Sequence, residues 1–122
     1  MPVAAIPDFI ARATPVVQAL VPGVRPVSFG HLGDGNLHYN VQAPEGVDSA
    51  VFLETSEATI NTLVFDAVNA FGGSISAEHG IGIDKIDELA HYRSKIELDT
   101  MRSIKRALDP KNIMNPGKIF LM

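Results

Sequence analysis

The chain contains no cysteine in its 122 residues. This absence excludes disulfides, thiolate catalysis and cysteine-ligated metal, so any metal ion must be held by His, Asp, Glu or Asn. A chain without cysteine also fits a reducing compartment, and we expect a cytoplasmic location.

Basic residues are few, with ten Lys plus Arg against fourteen Asp plus Glu and a formal net charge of -4. This balance predicts no basic face for a nucleic-acid backbone or an anionic membrane. No window approaches about 18 uninterrupted apolar residues, and the first residues lack the basic start of an export signal. We therefore expect neither a nucleic-acid partner nor a membrane span.

The composition is that of a globular domain, with 46% hydrophobic and 20% charged residues. Such a chain is too apolar to be disordered and long enough to bury a core. We expect one domain, or part of one.

Two long segments have apolar residues at helical spacing. The first predicts a helix over residues 7 to 20, which Pro15 should kink or split because proline lacks the backbone donor. The second predicts a helix over residues 50 to 71, ended by Gly72 and Gly73. The expected buried stripe of this second helix consists of Leu53, Ile60, Val64, Ala67, Val68 and Phe71.

Between these helices, residues 24 to 32 and 37 to 43 are rich in β-formers and flank the turn sequence GDGN. This pattern predicts a hairpin. If residues 33 to 36 form the turn, His31 faces His38 with Cβ atoms ~5 Å apart. The stretch SISA, at residues 74 to 77, predicts a third strand.

The C-terminal part of the sequence predicts a helical tail. A short helix is expected over residues 84 to 92 and a longer one over residues 94 to 108, where Ser94 and Glu97 match a capping box. The apolar face of the longer helix comprises Leu98, Met101, Ile104 and Leu108. We expect the remaining residues to be irregular yet packed.

The predicted order of elements is helix, strand, strand, helix, strand and helical tail. It indicates an α+β fold, an incomplete ferredoxin-like α/β plait whose first strand is missing. That first strand is central in the plait, so its absence exposes strand edges and favours a homo-oligomer.

Two of the four histidines, His31 and His38, bracket the turn, and Asn40 falls on the same strand face as His38. Glu78 and His79 form a second cluster beside flexible glycines. Two imidazoles, a carboxylate and an open position are typical of a catalytic metal site. The alternative is that GDGN is simply a turn and the histidines are a polar cross-strand pair, because the spacing does not prove that residues 31 and 78 are close.

Three other polar residues have simpler interpretations. His91 lies in a predicted amphipathic helix and reads as a surface residue. Asp34 fits an Asx turn better than a metal ligand. Lys85 either contacts an acidic substrate or is a solvated helix residue, and the second interpretation is favoured.

Three segments, FGHLGDGNLHYNV, GGSISAEHGIGIDK and LDPKNIMNPGKIF, match a known family in order and spacing. They resemble the C-terminal end of the FAD-linked oxidases of the vanillyl-alcohol oxidase type. The nearest groups are D-2-hydroxyglutarate dehydrogenase, D-lactate dehydrogenase and the FAD subunit of glycolate oxidase. The resemblance runs from about residue 2 to residue 122.

The resemblance implies oxidation of a D-2-hydroxy acid to a 2-keto acid with hydride transfer to FAD. It places His31, His38 and Glu78 at the ligand positions of a divalent metal, usually zinc. It also places Asn40 at the substrate and His79 at the catalytic base. The donors alone do not distinguish zinc from manganese or iron.

The resemblance covers residues 1 to 122 as the C-terminal part of the cap domain, and the FAD-binding domain is absent from this sequence. We therefore expect that the chain alone neither holds FAD nor turns over substrate. Asn115 either contacts FAD in a complete enzyme or belongs to a tail that only packs. The substrate's identity and the electron acceptor are not determined by these residues.

Two other functions are compatible with the same residues. One is a stand-alone metal-binding module that self-associates without catalysis. The other is a metal-assisted hydrolase, which is less well supported because the HExxH spacing is missing.

Overall fold

The computed structural model describes residues 1–121 and divides into two compact units, Met1–Ser74 and Ile75–Met122. We call these the N-terminal unit and the C-terminal unit. The described residues form four α-helices and one two-stranded antiparallel sheet. The expectation of a small α+β domain is confirmed.

The N-terminal unit begins with a short 3-10 helix, Val3–Ala5, that leads into helix α1, Ile6–Leu20. Pro7 lies in the first turn, where a missing backbone donor costs nothing. Pro15 lies inside α1 without splitting it, so of the two expected effects, a kink or a division into two helices, the division does not occur. Pro15 is itself exposed, and the flanking residues Ala13 and Val17 are buried; their packing favours a continuous helix.

Helix α2 spans Ser49–Ala70. Asp48 caps its start by accepting hydrogen bonds from the Ala50 and Val51 amides at 2.9 and 3.2 Å. Beyond its end, Gly72 has φ of 66°, a left-handed conformation suited to glycine. The predicted helix and its glycine stop are confirmed.

The buried stripe of α2 differs from the prediction at its start. Leu53 is 53% exposed, whereas Phe52 is buried. Phe52 belongs to a core cluster with Val17, Val24 and Ile60. Val68, near the other end of α2, belongs instead to a cluster with Phe9 and Ala13, so the two ends of α2 pack on different neighbours. Helical periodicity assumes one buried direction and therefore selected the wrong residue.

Strands β1, Arg25–Phe29, and β2, His38–Gln42, form the predicted hairpin. They pair antiparallel, with Phe29 opposite His38 and Val27 opposite Asn40. Alternate residues on β2 face opposite sides, and Tyr39 packs against both clusters of the core.

The second core cluster is built around Phe9. Its ring meets Tyr39 edge-on at 5.7 Å between centroids and Phe71 at 6.0 Å. Aromatic pairs prefer this edge-to-face geometry. The core of the N-terminal unit thus joins α1, α2 and one face of the hairpin.

The C-terminal unit contains helices α3, Ile86–Tyr92, and α4, Lys95–Leu108. The capping box is confirmed, because the Glu97 amide donates to Ser94 Oγ at 3.2 Å and the Ser94 amide donates to Glu97 Oε2 at 3.0 Å. The predicted apolar face is only partly buried. Leu98 is 7% exposed, whereas Leu108 is 78% exposed.

The third strand predicted at residues 74 to 77 is not present among residues 1–121, where the sheet has two strands. A strand needs a neighbour for its backbone groups. In the plait that neighbour is the first strand, and residues 3 to 5 are instead a 3-10 helix. Ser76 Oγ donates locally to the Gly80 carbonyl.

After α4 the chain is irregular, as predicted, but it is less packed than expected, because Ile113 and Met114 are 74% and 64% exposed. The buried carboxylate of Asp109 accepts hydrogen bonds from the Ile113 and Met114 amides at 3.1 and 2.9 Å and pairs with Lys105. The hydrogen bond from Lys105 and those two amides hold the pKa of Asp109 below its ordinary value, although burial opposes them. Phe120 is buried further along this tail.

One apolar stretch, Val3–Leu20, passes a length and composition test for a membrane span, with a mean hydropathy of 1.2. This stretch includes α1, and 22% of it is buried. Core helices and signal sequences pass the same test. Phe9 and Val17 of α1 lie in the core, and a single stretch of this kind is weak evidence for a membrane span.

Candidate metal centre

The loop between β1 and β2 is longer than the predicted four-residue turn. His31 precedes a 3-10 turn, Leu32–Asp34, and its carbonyl accepts from the Asp34 and Asn36 amides at 3.0 and 3.2 Å. His38 pairs with Phe29 across the strands. The prediction that His31 and His38 form a directly opposed strand pair is therefore wrong, because the 3-10 turn ends the ladder at Phe29.

The two imidazoles nevertheless meet. Their ring centroids are 6.1 Å apart and their planes are inclined by 80°. Two imidazoles on one tetrahedral zinc, with bonds of about 2.0 to 2.1 Å, have centroids roughly 5 Å apart. One ring nitrogen of His31 and one of His38 lie within 4.8 Å of each other. The pair therefore fits a divalent metal, although a loop rather than a ladder places it.

Each imidazole has a partner within the hairpin. The Phe29 ring stacks on His38, with centroids 5.1 Å apart and planes inclined by 17°. Asn36 Nδ2 lies 3.5 Å from His31 Nδ1, and the direction of that contact depends on the imidazole tautomer. These contacts restrain the orientation of both rings.

Gly30 makes the close approach of the two sides of the loop possible. Its φ is 149°, and a Cβ at this position would lie 2.7 Å from the Asn36 carbonyl oxygen and 3.2 Å from His38 Cδ2. Only glycine accommodates that spacing. Sequence reasoning did not single out Gly30, and its position directly before His31 was the available signal.

Asn40 lies two residues beyond His38 on β2, opposite Val27, and is exposed. Residues i and i+2 of a strand share a face, so the expected common face is confirmed. Asp34 is exposed within the 3-10 turn, in keeping with a local turn role.

The second predicted cluster lies in the C-terminal unit. Glu78 and His79 are exposed and lie between residue 75 and α3, in a stretch without regular structure. Gly80 and Gly82 have φ of 69° and 61°, and a Cβ on either would meet nothing within 4 Å. The glycines thus shape the backbone here and leave open space beside His79.

Lys85, His91 and Asn115 also lie in the C-terminal unit. Lys85 directly precedes α3 and is half-buried, and its ammonium donates to Ser76 Oγ at 3.4 Å, so it is neither helical nor fully solvated. His91 is exposed, as predicted. Asn115 lies exposed in the tail with φ of 48°.

The helices and the hairpin thus form a small α+β domain. On its hairpin, the imidazoles of His31 and His38 lie close to each other, and the Asn40 carboxamide is on the same strand face as His38. The family model "FAD linked oxidases, C-terminal domain" matches residues 1–119. The chain belongs to this family of C-terminal domains of FAD-linked oxidases.

Named relatives agree with this family. The chain is 44% identical over 115 residues to a D-2-hydroxyglutarate dehydrogenase of Stutzerimonas stutzeri, covering 94% of the chain. It is 42% identical over 118 residues to one of Xanthomonas citri, covering 97% of the chain. It is 35% identical over 119 residues to a D-lactate dehydrogenase of Archaeoglobus fulgidus, covering 98% of the chain. In each comparison the matched region is 25% of the relative, so the chain spans about a quarter of these proteins.

Proposed function

We propose that this chain is the metal- and substrate-binding C-terminal portion of a flavin-dependent dehydrogenase that oxidises a D-2-hydroxy acid to a 2-keto acid. The observation that carries the proposal is the imidazole pair of His31 and His38, 6.1 Å apart between centroids. It occurs in a chain that is 44% identical to a D-2-hydroxyglutarate dehydrogenase over 115 residues.

The proposed metal ligands are His31, His38 and Glu78. The distance between the imidazoles supports the first two, and the family resemblance supports Glu78. Two neutral imidazoles and one carboxylate suit zinc and similar divalent ions and leave a position for substrate. A bound ion supplies Lewis acidity to the hydroxyl and carboxylate of a 2-hydroxy acid.

His79 is the proposed catalytic base. An imidazole accepts a proton near neutral pH, and the exposed position of His79 beside Gly80 leaves room for a substrate. The hydroxyl proton would pass to the imidazole of His79. The hydrogen on the carbon that bears the hydroxyl would leave with its electron pair for FAD. The carbon–oxygen bond becomes a carbonyl, so two electrons and one proton leave the substrate as hydride and a second proton goes to His79.

Asn40 is proposed to bind the substrate. Its carboxamide both donates and accepts hydrogen bonds, and it shares the strand face of His38. Asn115 is proposed to contact FAD through the exposed tail; the alternative is that this tail only packs.

FAD, the hydride acceptor, is proposed to be held mainly by a flavin domain outside the sequence of this chain. Residues 1 to 122 then form the C-terminal part of the cap domain and are inactive alone. A cytoplasmic location belongs to the same proposal and is supported only by the lack of cysteine.

A chimera tests the catalytic assignment. The C-terminal quarter of the Stutzerimonas stutzeri D-2-hydroxyglutarate dehydrogenase is replaced by this chain, and dye reduction is measured with D-2-hydroxyglutarate and D-lactate. We expect activity with one or both acids and its loss in His79→Ala. His91→Ala, an exposed histidine on α3, is the matched control and should remain active. An active His79→Ala chimera would refute the base assignment.

A zinc titration tests the metal ligands. The purified chain should bind one ion, and binding should be lost in His31→Ala and in Glu78→Ala but kept in His91→Ala. Binding that survives Glu78→Ala but not His31→Ala would remove Glu78 from the ligand set. A wild-type chain that binds no zinc would contradict the metal centre.

A second candidate is a stand-alone module that binds metal and self-associates without catalysis. It is favoured by the hairpin, since each strand has one other strand as its neighbour among residues 1–121 and unpaired edges promote association. Light scattering of the zinc-bound chain, taken together with the chimera assay, distinguishes the candidates. A stable oligomer combined with an inactive chimera would support the module.

A further inference from the structure

Phe29, the last residue of β1, is a large aromatic side chain that is 55% exposed. The core clusters do not include it. Its ring lies parallel to that of His38, with centroids 5.1 Å apart and an angle of 17° between planes. Stability of the core thus gives no reason for an aromatic residue at this position, whereas the neighbouring imidazole does.

The hairpin register brings the two rings together. Phe29 and His38 are direct cross-strand partners, and the side chains of such partners lie within contact distance of each other. Gly30, next in the chain, would press on His38 Cδ2 if it carried a Cβ, at 3.2 Å. His38 is therefore bounded by Phe29 on a ring face and by the Gly30 backbone at a ring edge.

This arrangement controls the direction of the His38 nitrogens. The lone pair that binds a metal lies in the plane of the imidazole ring. Rotation of a histidine ring about its Cβ–Cγ bond is only broadly restrained by intrinsic torsional preference. A stacked aromatic ring restrains that rotation, and offset stacking at this distance is favourable. The stack thus fixes the plane in which His38 can reach an ion.

We propose that Phe29 is a positioning residue that holds the His38 imidazole in its metal-binding orientation. The inference rests on the proposed function, specifically on His38 as a metal ligand. Phe29 touches neither metal nor substrate in this role and acts through His38. Orienting contacts to a metal-bound histidine raise affinity by limiting the conformations that compete with binding.

Three variants of the full chain test the inference. Phe29→Leu keeps an apolar side chain on the strand and removes the aromatic face. Phe29→Tyr restores that face. Val27→Leu is the matched control, since Val27 lies on the same strand face, is 41% exposed and pairs with Asn40 rather than a histidine.

The first measurement uses metal-free protein. In wild type the ring current of Phe29 should displace the proton resonances of the His38 ring upfield. The displacement should disappear in Phe29→Leu and remain in Phe29→Tyr and Val27→Leu. An undisplaced His38 in the wild type would overturn the inference, because the stack would then be unpopulated in solution.

The second measurement is a zinc titration of the same proteins. We expect Phe29→Leu to bind zinc roughly 2- to 10-fold more weakly, from the usual strength of an aromatic pair. Phe29→Tyr and Val27→Leu should match the wild type. Equal affinity in Phe29→Leu and wild type would overturn the inference while leaving the metal centre intact. A wild type with displaced His38 resonances that binds no zinc would instead overturn the metal centre, and the positioning role with it.

Discussion

In the N-terminal unit, Ile6, Phe9 and Val17 are at most 2% exposed, whereas α4 of the C-terminal unit leaves Ile96 80% and Leu108 78% exposed. The first unit is stabilised chiefly by packing of apolar side chains, which depends on volume. Apolar burial alone does not explain the second unit.

Polar contacts are prominent in the C-terminal unit. The Ser94 and Glu97 capping box begins α4. At the other end of α4, the buried Asp109 carboxylate accepts hydrogen bonds from two amides of the tail. Such contacts depend on hydrogen-bond partners and on protonation. The two units should therefore respond to different perturbations. The N-terminal unit should be sensitive to removal of buried apolar side chains, and the C-terminal unit to removal of hydrogen-bond acceptors and to low pH.

The largest expected effect is that of Phe9→Ala in the N-terminal unit. Removing a ring packed against Tyr39 and Phe71 leaves a cavity, and the free energy of unfolding should fall by about 3 to 5 kcal/mol. Chemical denaturation measures it. Val16→Ala on the same helix, 48% exposed, should change stability by less than about 0.5 kcal/mol. Equal losses in the two variants would refute the packed core.

A smaller loss is expected from Gly30→Ala in the hairpin loop. The added Cβ meets the Asn36 carbonyl at 2.7 Å with φ of 149°, and strain of this kind costs about 1 to 3 kcal/mol. Zinc affinity should fall as well, because His38 is displaced. Gly33→Ala is the control, since its Cβ would meet nothing within 4 Å. A Gly30→Ala chain with unchanged zinc affinity would show that this close approach is dispensable.

Asp109→Asn should loosen the tail of the C-terminal unit without affecting the first unit. The Ile113 and Met114 amides donate to different oxygens of the Asp109 carboxylate. A carboxamide keeps one acceptor oxygen, so one of the two amides loses its partner. Hydrogen exchange at those two amides should quicken. The hydrogen bond from Lys105 is the main reason that the pKa of Asp109 is lowered. A lowered folded pKa gives stability that is complete above about pH 4 and lost as the pH falls through the folded value.

The pH dependence offers a second check on Asp109. Tail protection in wild type should fall below about pH 4, whereas Asp109→Asn should lack the part of that fall that Asp109 contributes. Identical pH profiles for the two proteins would exclude Asp109 as the titrating group.

The smallest expected effect is that of Ser94→Ala. It removes the hydroxyl that accepts from the Glu97 amide, and the loss of such a cap costs about 1 kcal/mol. The amide and hydroxyl of Ser94 also hold the pKa of Glu97 below its ordinary value. In Ser94→Ala the pKa of Glu97 should rise, measured by NMR titration; an unchanged value would contradict the capping contact.

Local signals predicted much of the fold. Ser94 and Glu97 are three residues apart, and Gly72 lies two residues beyond the end of α2, so both helix ends are marked by residues close by in the sequence. The prediction of a third strand was wrong because a strand depends on a partner that is distant in the sequence. Leu53 was chosen over Phe52 because periodicity does not reveal which neighbour each turn of a helix meets.

The candidate site was predictable in its residues but not in its geometry. His31 and His38 were selected for their donor chemistry, and their rings do approach each other. Their assumed pairing across the strands was wrong because the 3-10 turn after His31 ends the ladder early. The Phe29 stack follows from the true register, which the turn sequence GDGN did not determine.

The register of the hairpin also has a consequence for how related genes can diverge. Inserting or deleting one residue within β2 would move His38 or Asn40 to the side occupied by Tyr39 and Val41, since strand faces alternate. Selection should therefore tolerate changes of length at residues 44 to 47 far more readily than at residues 38 to 42. Among descendants of this sequence, the length of β2 should therefore stay fixed.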